Sequence, residues 1–124
     1  MIVADASAVV ASLLAGQPTP ALRGEELHAP HVIDLEVLHA FRRMEQREDL
    51  PIPAAVYLAE FRALRLHRYP HEPLARRIWG LRHNLTPYDA AYVALAEGLE
   101  APLVTTDARI AAAPGHTAEV RVLG

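Results

Sequence analysis

Short apolar runs alternate along this chain with longer segments in which apolar residues recur every three or four positions. The runs are typical of buried strands and lie at residues 2–4, 27–29, 102–105 and 119–123. The longer segments predict helices at residues 6–15, about 31–47, from Pro53 onward, 74–82 and 90–99. Strands that alternate with helices form parallel sheets covered on both faces. We therefore expect an α/β fold in which residues 1–124 form one three-layer domain, with a short central parallel sheet flanked by helices.

The spacing also predicts how the middle of the chain packs. The second helix should face the core with an apolar stripe formed by Ile33, Val37, Leu38, Phe41 and Met44. The third helix should do so with Val56, Phe61 and Leu64. Residues 67–73 include Pro70 and Pro73, which predicts a loop or a short edge strand.

Four acidic residues occupy matching places in this pattern. Asp5 and Asp107 follow apolar runs, whereas Glu36 and Asp89 lie on early helix turns. The carboxyl ends of parallel strands and the following helix starts meet at one edge of a sheet, so these acids can converge. Carboxylates that converge repel one another unless a cation lies among them, and Mg²⁺ prefers oxygen ligands. The pattern predicts a metal-dependent enzyme that acts on phosphate esters.

Each acid also has a purely structural explanation. Asp5 and Asp107 suit helix N-caps, and Asp89 follows Thr86 and Pro87 in the arrangement of a capping box. A helical glutamate off the apolar stripe is ordinarily solvated, and Asp34 competes with Glu36 for a place in the site. Helical spacing alone leaves that choice open. The four positions together favour the metal site more than any one of them does.

Charge and composition narrow the function further. Residues 42–82 hold nine arginines against five acids, and the rest of the chain holds three against ten. A basic middle section beside an acidic site suits a polyanionic substrate, although arginines on solvated helix faces are the alternative. Lysine and cysteine are absent, which excludes Walker-type phosphate loops and thiolate metal sites. The longest apolar stretch, residues 6–16, is too short to cross a bilayer, so we expect a cytoplasmic protein without a membrane segment.

Four segments of the chain resemble the motifs of PIN-domain ribonucleases, and more narrowly VapC-type toxins of toxin–antitoxin pairs. They read Ile-Val-Ala-Asp-Ala-Ser-Ala from residue 2, Glu-Val-Leu-His-Ala-Phe-Arg-Arg from residue 36, Leu-Thr-Pro-Tyr-Asp-Ala-Ala-Tyr-Val-Ala-Leu-Ala from residue 85, and Leu-Val-Thr-Thr-Asp from residue 103. The resemblance places the family's metal-binding carboxylates on Asp5, Glu36, Asp89 and Asp107, and hydroxyl positions near the metal on Ser7 and Thr106. It thereby favours Glu36 over Asp34.

The resemblance implies that the protein hydrolyses RNA with a water activated by Mg²⁺ or Mn²⁺, leaving a 5′-phosphate and a 3′-hydroxyl. It also implies a homodimer inhibited by a VapB-type antitoxin. One alternative is a non-catalytic PIN-like module that binds RNA or a protein. The other is a phosphatase or phosphoacceptor on a different α/β fold, which ordinarily needs a second acid after the first strand or a lysine, and neither is present.

The histidines do not indicate a second metal site. His67 and His71 are four residues apart, but Pro70 interrupts any helix that would bring them to one face. His28 and the other histidines lack the spacing of a recognisable ligand pair or triad. Trp79, Tyr88 and Tyr92 could stack on bases, but aromatic residues on helices beside Leu and Val are more often core or interface residues, so they are not counted as site residues.

Overall fold

A parallel sheet positions the rest of the molecule. In the computed structural model, which describes residues 1–123, the strands are β1 (Ile2–Ala4), β2 (Leu27–Pro30), β3 (Leu66–Tyr69), β4 (Leu103–Thr105) and β5 (Val120–Val122). They form one five-stranded sheet in the order β3-β2-β1-β4-β5, and every neighbouring pair is parallel.

Helices connect the strands and cover the sheet. In the described part of the chain they are α1 (Ala6–Ala15), α2 (Ile33–Gln46), α3 (Ala54–Ala63), α4 (Ala75–Gly80), α5 (Pro87–Leu99) and α6 (Ala108–Ala112), with a short 3₁₀ turn at Glu72–Leu74. The predicted three-layer α/β fold with a short central parallel sheet is therefore confirmed. No helix within residues 1–123 has both the length and the apolar content needed to cross a bilayer.

The strand order reverses at one point in the sheet, between β1 and β4. The chain builds outward from β1 through β2 to β3, and then returns to the other side of β1 with β4 and β5. Ala4 pairs with Val104 in the register of β1 and β4, and the backbone N–H of Asp5 donates to the Val104 carbonyl at 3.1 Å. Ligands of open α/β sheets bind outside the carboxyl ends of the strands at such a reversal. Asp5 lies at that point.

Local capping chemistry determines where the helices begin. Asp5 accepts a hydrogen bond from the backbone N–H of Ala8 and caps α1, and Asp107 caps α6 in the same way. Thr86 caps α5, and Pro87 occupies its first position. The capping explanation is thus correct for Asp5 and Asp107. Capping uses one oxygen of each carboxylate, and the other oxygen contacts a different group.

The core is formed by the central strands and α5. Val3, Ala4, Leu103 and Val104 are fully buried, and all seven residues from 90 to 96 of α5 are buried. A helix that is apolar on every side must be enclosed by its neighbours, and its alanines allow close approach to the sheet. Asp89 and Tyr92, which α5 also carries, are consequently held in fixed positions.

Two predicted core positions are wrong, and the choice between a loop and an edge strand near residue 67 is resolved. Val56 and Leu38 are 44% and 48% exposed, because the buried stripe of α3 runs through Tyr57 and Phe61 and that of α2 through Ile33, Val37 and Phe41. The stretch from residue 67 is an edge strand that begins at Leu66 and pairs with β2 as far as Tyr69. Pro70 then ends the pairing.

Candidate active site

Asp5 is the most buried acid of the candidate site. Its Oδ1 accepts hydrogen bonds from the Ser7 hydroxyl at 2.6 Å and from the Ala8 backbone N–H at 3.0 Å, and its Oδ2 accepts from the Thr105 hydroxyl at 2.5 Å. Burial raises the pKa of Asp5, and these hydrogen bonds oppose that rise. The bonds hold the carboxylate in one orientation at the end of β1.

Glu36 lies on the first turn of α2 and is held by a tyrosine. The Tyr92 hydroxyl on α5 donates to Glu36 Oε1 at 2.6 Å. Burial is the largest cause that raises the pKa of Glu36, and the charges of Asp89 and Asp5 raise it further. The pKa of Tyr92 is also raised, first by burial, so this hydroxyl remains a donor.

Asp34, the competitor of Glu36, is occupied elsewhere. Its two oxygens accept a bidentate pair of hydrogen bonds from Arg68, each at 2.8 Å. An arginine that already neutralises a carboxylate reduces its attraction for a metal ion. Glu36, in contrast, interacts electrostatically with Asp89 and Asp5.

Asp89 and Asp107 differ in how their charges are balanced. Burial and then the charges of Asp107 and Asp5 raise the pKa of Asp89. In contrast, hydrogen bonds from Arg109 lower the pKa of Asp107, whose oxygens lie 3.0 and 2.8 Å from the guanidinium. The Arg109 side chain is 91% exposed. Asp107 is therefore partly neutralised by an exposed arginine, whose charge acts on Asp89 as well but does not offset the rise in the pKa of Asp89.

Hydroxyl groups join the ends of β1 and β4. The Ser7 hydroxyl donates to Asp5 and accepts from the Thr106 backbone N–H at 3.0 Å, while the Thr105 hydroxyl accepts from the Asp107 backbone N–H at 3.0 Å. Thr106 contributes its backbone to this network, and the part its hydroxyl plays stays a prediction. Thr105 and Tyr92 were missed as site residues, because a threonine at a strand end and a tyrosine on an apolar helix look like core residues in sequence.

The donor set suits a hard divalent cation. Three acids have raised pKa values, and the charge of Asp5 contributes to the rise for both Glu36 and Asp89. Like charges that raise one another's pKa are stabilised by a cation among them. Within residues 1–123 no three of the four acids bring their oxygens within 4.8 Å of one another. Mg²⁺ tolerates such spacing, because it keeps several waters and binds through one or two carboxylates.

A groove leads away from the acids between α1 and α2. It has a volume of about 980 Å³, and Ser7, Glu36 and Thr106 line it at the acidic end. Arg43 and Arg47 of α2 line it further along. We call this cleft the α1–α2 groove. Its charges match a chain of phosphates that crosses arginines before reaching the acids.

The family model and the similar relatives that were compared point to the same protein family. Residues 2–115 match the PIN domain family. Ribonuclease VapC9 of Mycobacterium tuberculosis is 46% identical over 112 residues, which cover 89% of this chain and 88% of the relative. Ribonucleases VapC1 and VapC12 of the same species are 44% and 42% identical, and the matches cover 98% and 99% of this chain and 96% and 99% of those proteins.

A solved structure agrees with these sequence matches. The crystal structure of PAE2754 from Pyrobaculum aerophilum superposes with a TM-score of 0.74 at 25% identity, covering 96% of this chain and 81% of that one. The described fold, the order of the motifs and the similarity to these relatives together place the chain in the PIN-domain family, among proteins similar to the VapC ribonucleases.

Proposed function

We propose that this protein is an endoribonuclease that hydrolyses RNA phosphodiester bonds with a divalent ion held by Asp5, Glu36, Asp89 and Asp107. The observation that carries the proposal is the convergence of these acids at the point where the strand order reverses, where neighbouring acids contribute to the raised pKa values of Glu36 and Asp89, beside a groove lined by arginines. The ribonuclease names of the relatives at 42–46% identity support it. Mg²⁺ is the proposed ion, with Mn²⁺ as a substitute of similar ligand preference.

When bound, a divalent ion lowers the pKa of water and offsets the charge that develops on the phosphate oxygens during attack. The residues of the chain supply position and charge. Asp5 is oriented by Ser7, Ala8 and Thr105, and Glu36 is oriented by Tyr92. Such outer hydrogen bonds limit the directions in which a carboxylate offers its lone pairs to an ion. The proposed products are a 5′-phosphate and a 3′-hydroxyl.

The α1–α2 groove is the proposed path of the RNA. Arg43 and Arg47 attract phosphates without reading bases, so they favour affinity over sequence selection. Tyr88 lines the same groove next to Asp89 and is 59% exposed, which leaves its ring open to a base. Charge reversal of the two arginines is expected to raise KM for RNA more than it lowers kcat.

The proposed biological role is that of the toxin in a toxin–antitoxin pair, acting on RNA in the cytoplasm. Leu14 and Leu35 line the α1–α2 groove and are 42% and 69% exposed, while Glu36 lies at its acidic end. A VapB-type antitoxin segment with apolar side chains and one basic side chain would complement both features. Because RNA and antitoxin would use the same groove, the antitoxin would inhibit by competition.

A homodimer completes the proposal. Trp79 and Val122 are 67% and 41% exposed in the single chain. Apolar side chains of this size favour burial against a second copy. Sedimentation velocity across a concentration series tests this directly, with a single monomeric species as the contrary result.

The test of activity is cleavage of a mixed RNA pool by the purified full chain in Mg²⁺. Asp5→Asn keeps the size and capping capacity of the side chain, and we expect it to abolish most cleavage, as EDTA does for the wild type. Asp34→Asn is the matched control, since Asp34 pairs with Arg68 and should be dispensable for cleavage. Full activity of Asp5→Asn with unchanged Mg²⁺ dependence would contradict the site. RNA binding without cleavage by the wild type would favour the non-catalytic module.

The test of the biological role uses growth. Induced expression of the wild type should arrest a bacterial host, and Asp5→Asn should not. Co-expression with a short antitoxin from the neighbouring reading frame should restore growth. Arrest by Asp5→Asn at equal protein level would separate toxicity from RNA cleavage.

A further inference from the structure

A second group of ligand-bearing side chains lies on the sheet, among residues that the proposed nuclease does not use. Glu26, His28 and His67 bring one ligand atom each within 4.8 Å of one another, and they are the one such group within residues 1–123. Glu26 Oε1 lies 2.7 Å from His28 Nε2 and 3.7 Å from His67 Nε2. Glu26 directly precedes β2 and His28 lies on β2, whereas His67 is distant in sequence and lies on β3.

The parallel register explains why the three side chains share one face. His28 on β2 pairs directly with His67 on β3. Side chains on a strand alternate between faces, so Glu26, two residues before His28, points to the same face. Tyr69 lies two residues after His67 and joins them there. Two imidazoles and a supporting hydroxyl thus come from two neighbouring strands of the sheet, and the carboxylate comes from the residue directly before β2.

The partner of His28 on Nδ1 would allow Nε2 to bind a metal ion in place of its hydrogen bond to Glu26. Its Nδ1 lies 2.6 Å from the Tyr69 hydroxyl, and its side chain is 5% exposed. A tyrosine hydroxyl donates or accepts, so it satisfies Nδ1 in either tautomer of the imidazole. In the structure Nε2 lies 2.7 Å from Glu26 Oε1, and Nε2 would serve as a metal ligand in the tautomer that carries its proton on Nδ1. A partner on the second ring nitrogen is the usual companion of a metal-binding histidine.

The other two ligands have room to adjust. The Glu26 and His67 side chains are 59% and 56% exposed. The imidazoles of His28 and His67 are stacked with centroids 4.7 Å apart and planes 16° apart, so their nitrogens do not aim at one point. A shared ion would require the His67 ring to rotate, and the exposure of that side chain leaves room for the rotation.

We propose that Glu26, His28 and His67 form a binding site for a divalent transition-metal ion such as Zn²⁺, distinct from the acidic site. Two imidazoles and one carboxylate are a known ligand set of zinc with one coordination position left open. Imidazole ligands select transition metals over Mg²⁺, whereas the all-oxygen acidic site has the opposite preference. A bound ion would join edge strand β3 to β2, because it takes ligands from both.

The site is tested by titrating Zn²⁺ into the full chain by isothermal calorimetry in excess Mg²⁺, which would occupy the proposed acidic site. We expect one Zn²⁺ per chain. His67→Gln and Glu26→Gln change exposed side chains, so they should fold, and each should weaken Zn²⁺ binding by more than the roughly 10- to 100-fold typical of a lost outer partner. His83→Gln, at another exposed histidine, is the matched control and should bind as the wild type does.

Co²⁺ provides a spectroscopic check, since its visible absorption reports nitrogen ligands and low coordination number. The band should be present in the wild type and in Asp5→Asn, and lost in His67→Gln. Zn²⁺ binding that is absent in excess Mg²⁺, or equal in the wild type and His67→Gln, would overturn the proposed site. Loss of Zn²⁺ binding in Asp5→Asn with retention in His67→Gln would assign the ion to the acidic site instead. None of these readouts depends on RNA cleavage.

Discussion

Replacement of Tyr92 by phenylalanine isolates one hydrogen bond of the candidate active site. Tyr92 is 1% exposed, and its hydroxyl donates to Glu36 Oε1 at 2.6 Å. The ring remains in Tyr92→Phe, so packing in α5 is retained and only the donor is lost. A hydrogen bond to a charged group contributes about 1.5–3 kcal/mol, but Glu36 is half-buried and water can replace the donor. We therefore expect a loss of about 1 kcal/mol of stability.

The larger expected effect is on metal binding and its pH dependence. Loss of an outer partner weakens metal affinity by roughly 10- to 100-fold, and access of water to Glu36 places the expected loss near tenfold, or about 1.4 kcal/mol. The hydrogen bond from Tyr92 lowers the pKa of Glu36, so its removal raises that pKa further. Glu36 is then protonated at a higher pH than in the wild type. The acidic limb of the activity profile should shift upward in pH.

The assay is the initial rate of RNA cleavage as a function of Mg²⁺ concentration at several pH values, with thermal unfolding measured alongside. Tyr57→Phe is the matched control, because Tyr57 is also buried but stacks on Phe41. Unchanged Mg²⁺ dependence and an unchanged acidic limb in Tyr92→Phe would refute the view that this hydroxyl orients Glu36. A change of equal size in Tyr57→Phe would attribute the effect to general destabilisation.

Three further predictions concern the same cluster. Thr105→Val removes the donor to Asp5 Oδ2 and should cost about 1–3 kcal/mol in urea unfolding together with most of the cleavage rate, whereas Thr106→Val should retain stability close to that of the wild type. Arg109→Gln removes the cation that lowers the pKa of Asp107; we expect that pKa to rise and Mg²⁺ binding, followed by calorimetry, to tighten, and weaker binding would contradict this. The pKa of Asp5 is raised by burial, so the charged form disfavours the folded state above that pKa. Without metal, Asp5→Asn should consequently have a higher melting temperature than the wild type at pH 7, and this difference should be smaller at pH 4. Mg²⁺ should raise the melting temperature of the wild type but not that of Asp5→Asn.

Local patterns in the chain predicted the elements of the fold well. The strands before Asp5 and Asp107 and the Thr86 cap depend on neighbouring residues, and each lies where the pattern indicated. Capping does not exclude a second role for Asp5, since one of its oxygens caps α1 and the other accepts a hydrogen bond from Thr105. A carboxylate has two oxygens, and sequence does not indicate how they are divided.

The orientation of amphipathic helices was predicted less well. A stripe through Val56 was as consistent with helical spacing as one through Tyr57, and the packing of α3 against α1 and α2 decides which is buried. Leu38 is likewise apolar and exposed because α2 is covered on one side. Periodicity gives the pitch of a helix but not its rotation about its axis when apolar residues are abundant on several sides.

Information within a few residues was enough to identify strands, helix starts and four acids at strand ends or early helix turns, because backbone propensity, capping and periodicity are short-range effects. The partners of those acids depended on contacts between distant residues. Tyr92 is 56 positions from Glu36, Thr105 is 100 positions from Asp5, and Tyr69 is 41 positions from His28. Such pairs are set by strand order, register and the packing of α5, which arise from the burial of the whole core and leave no local signal in the sequence.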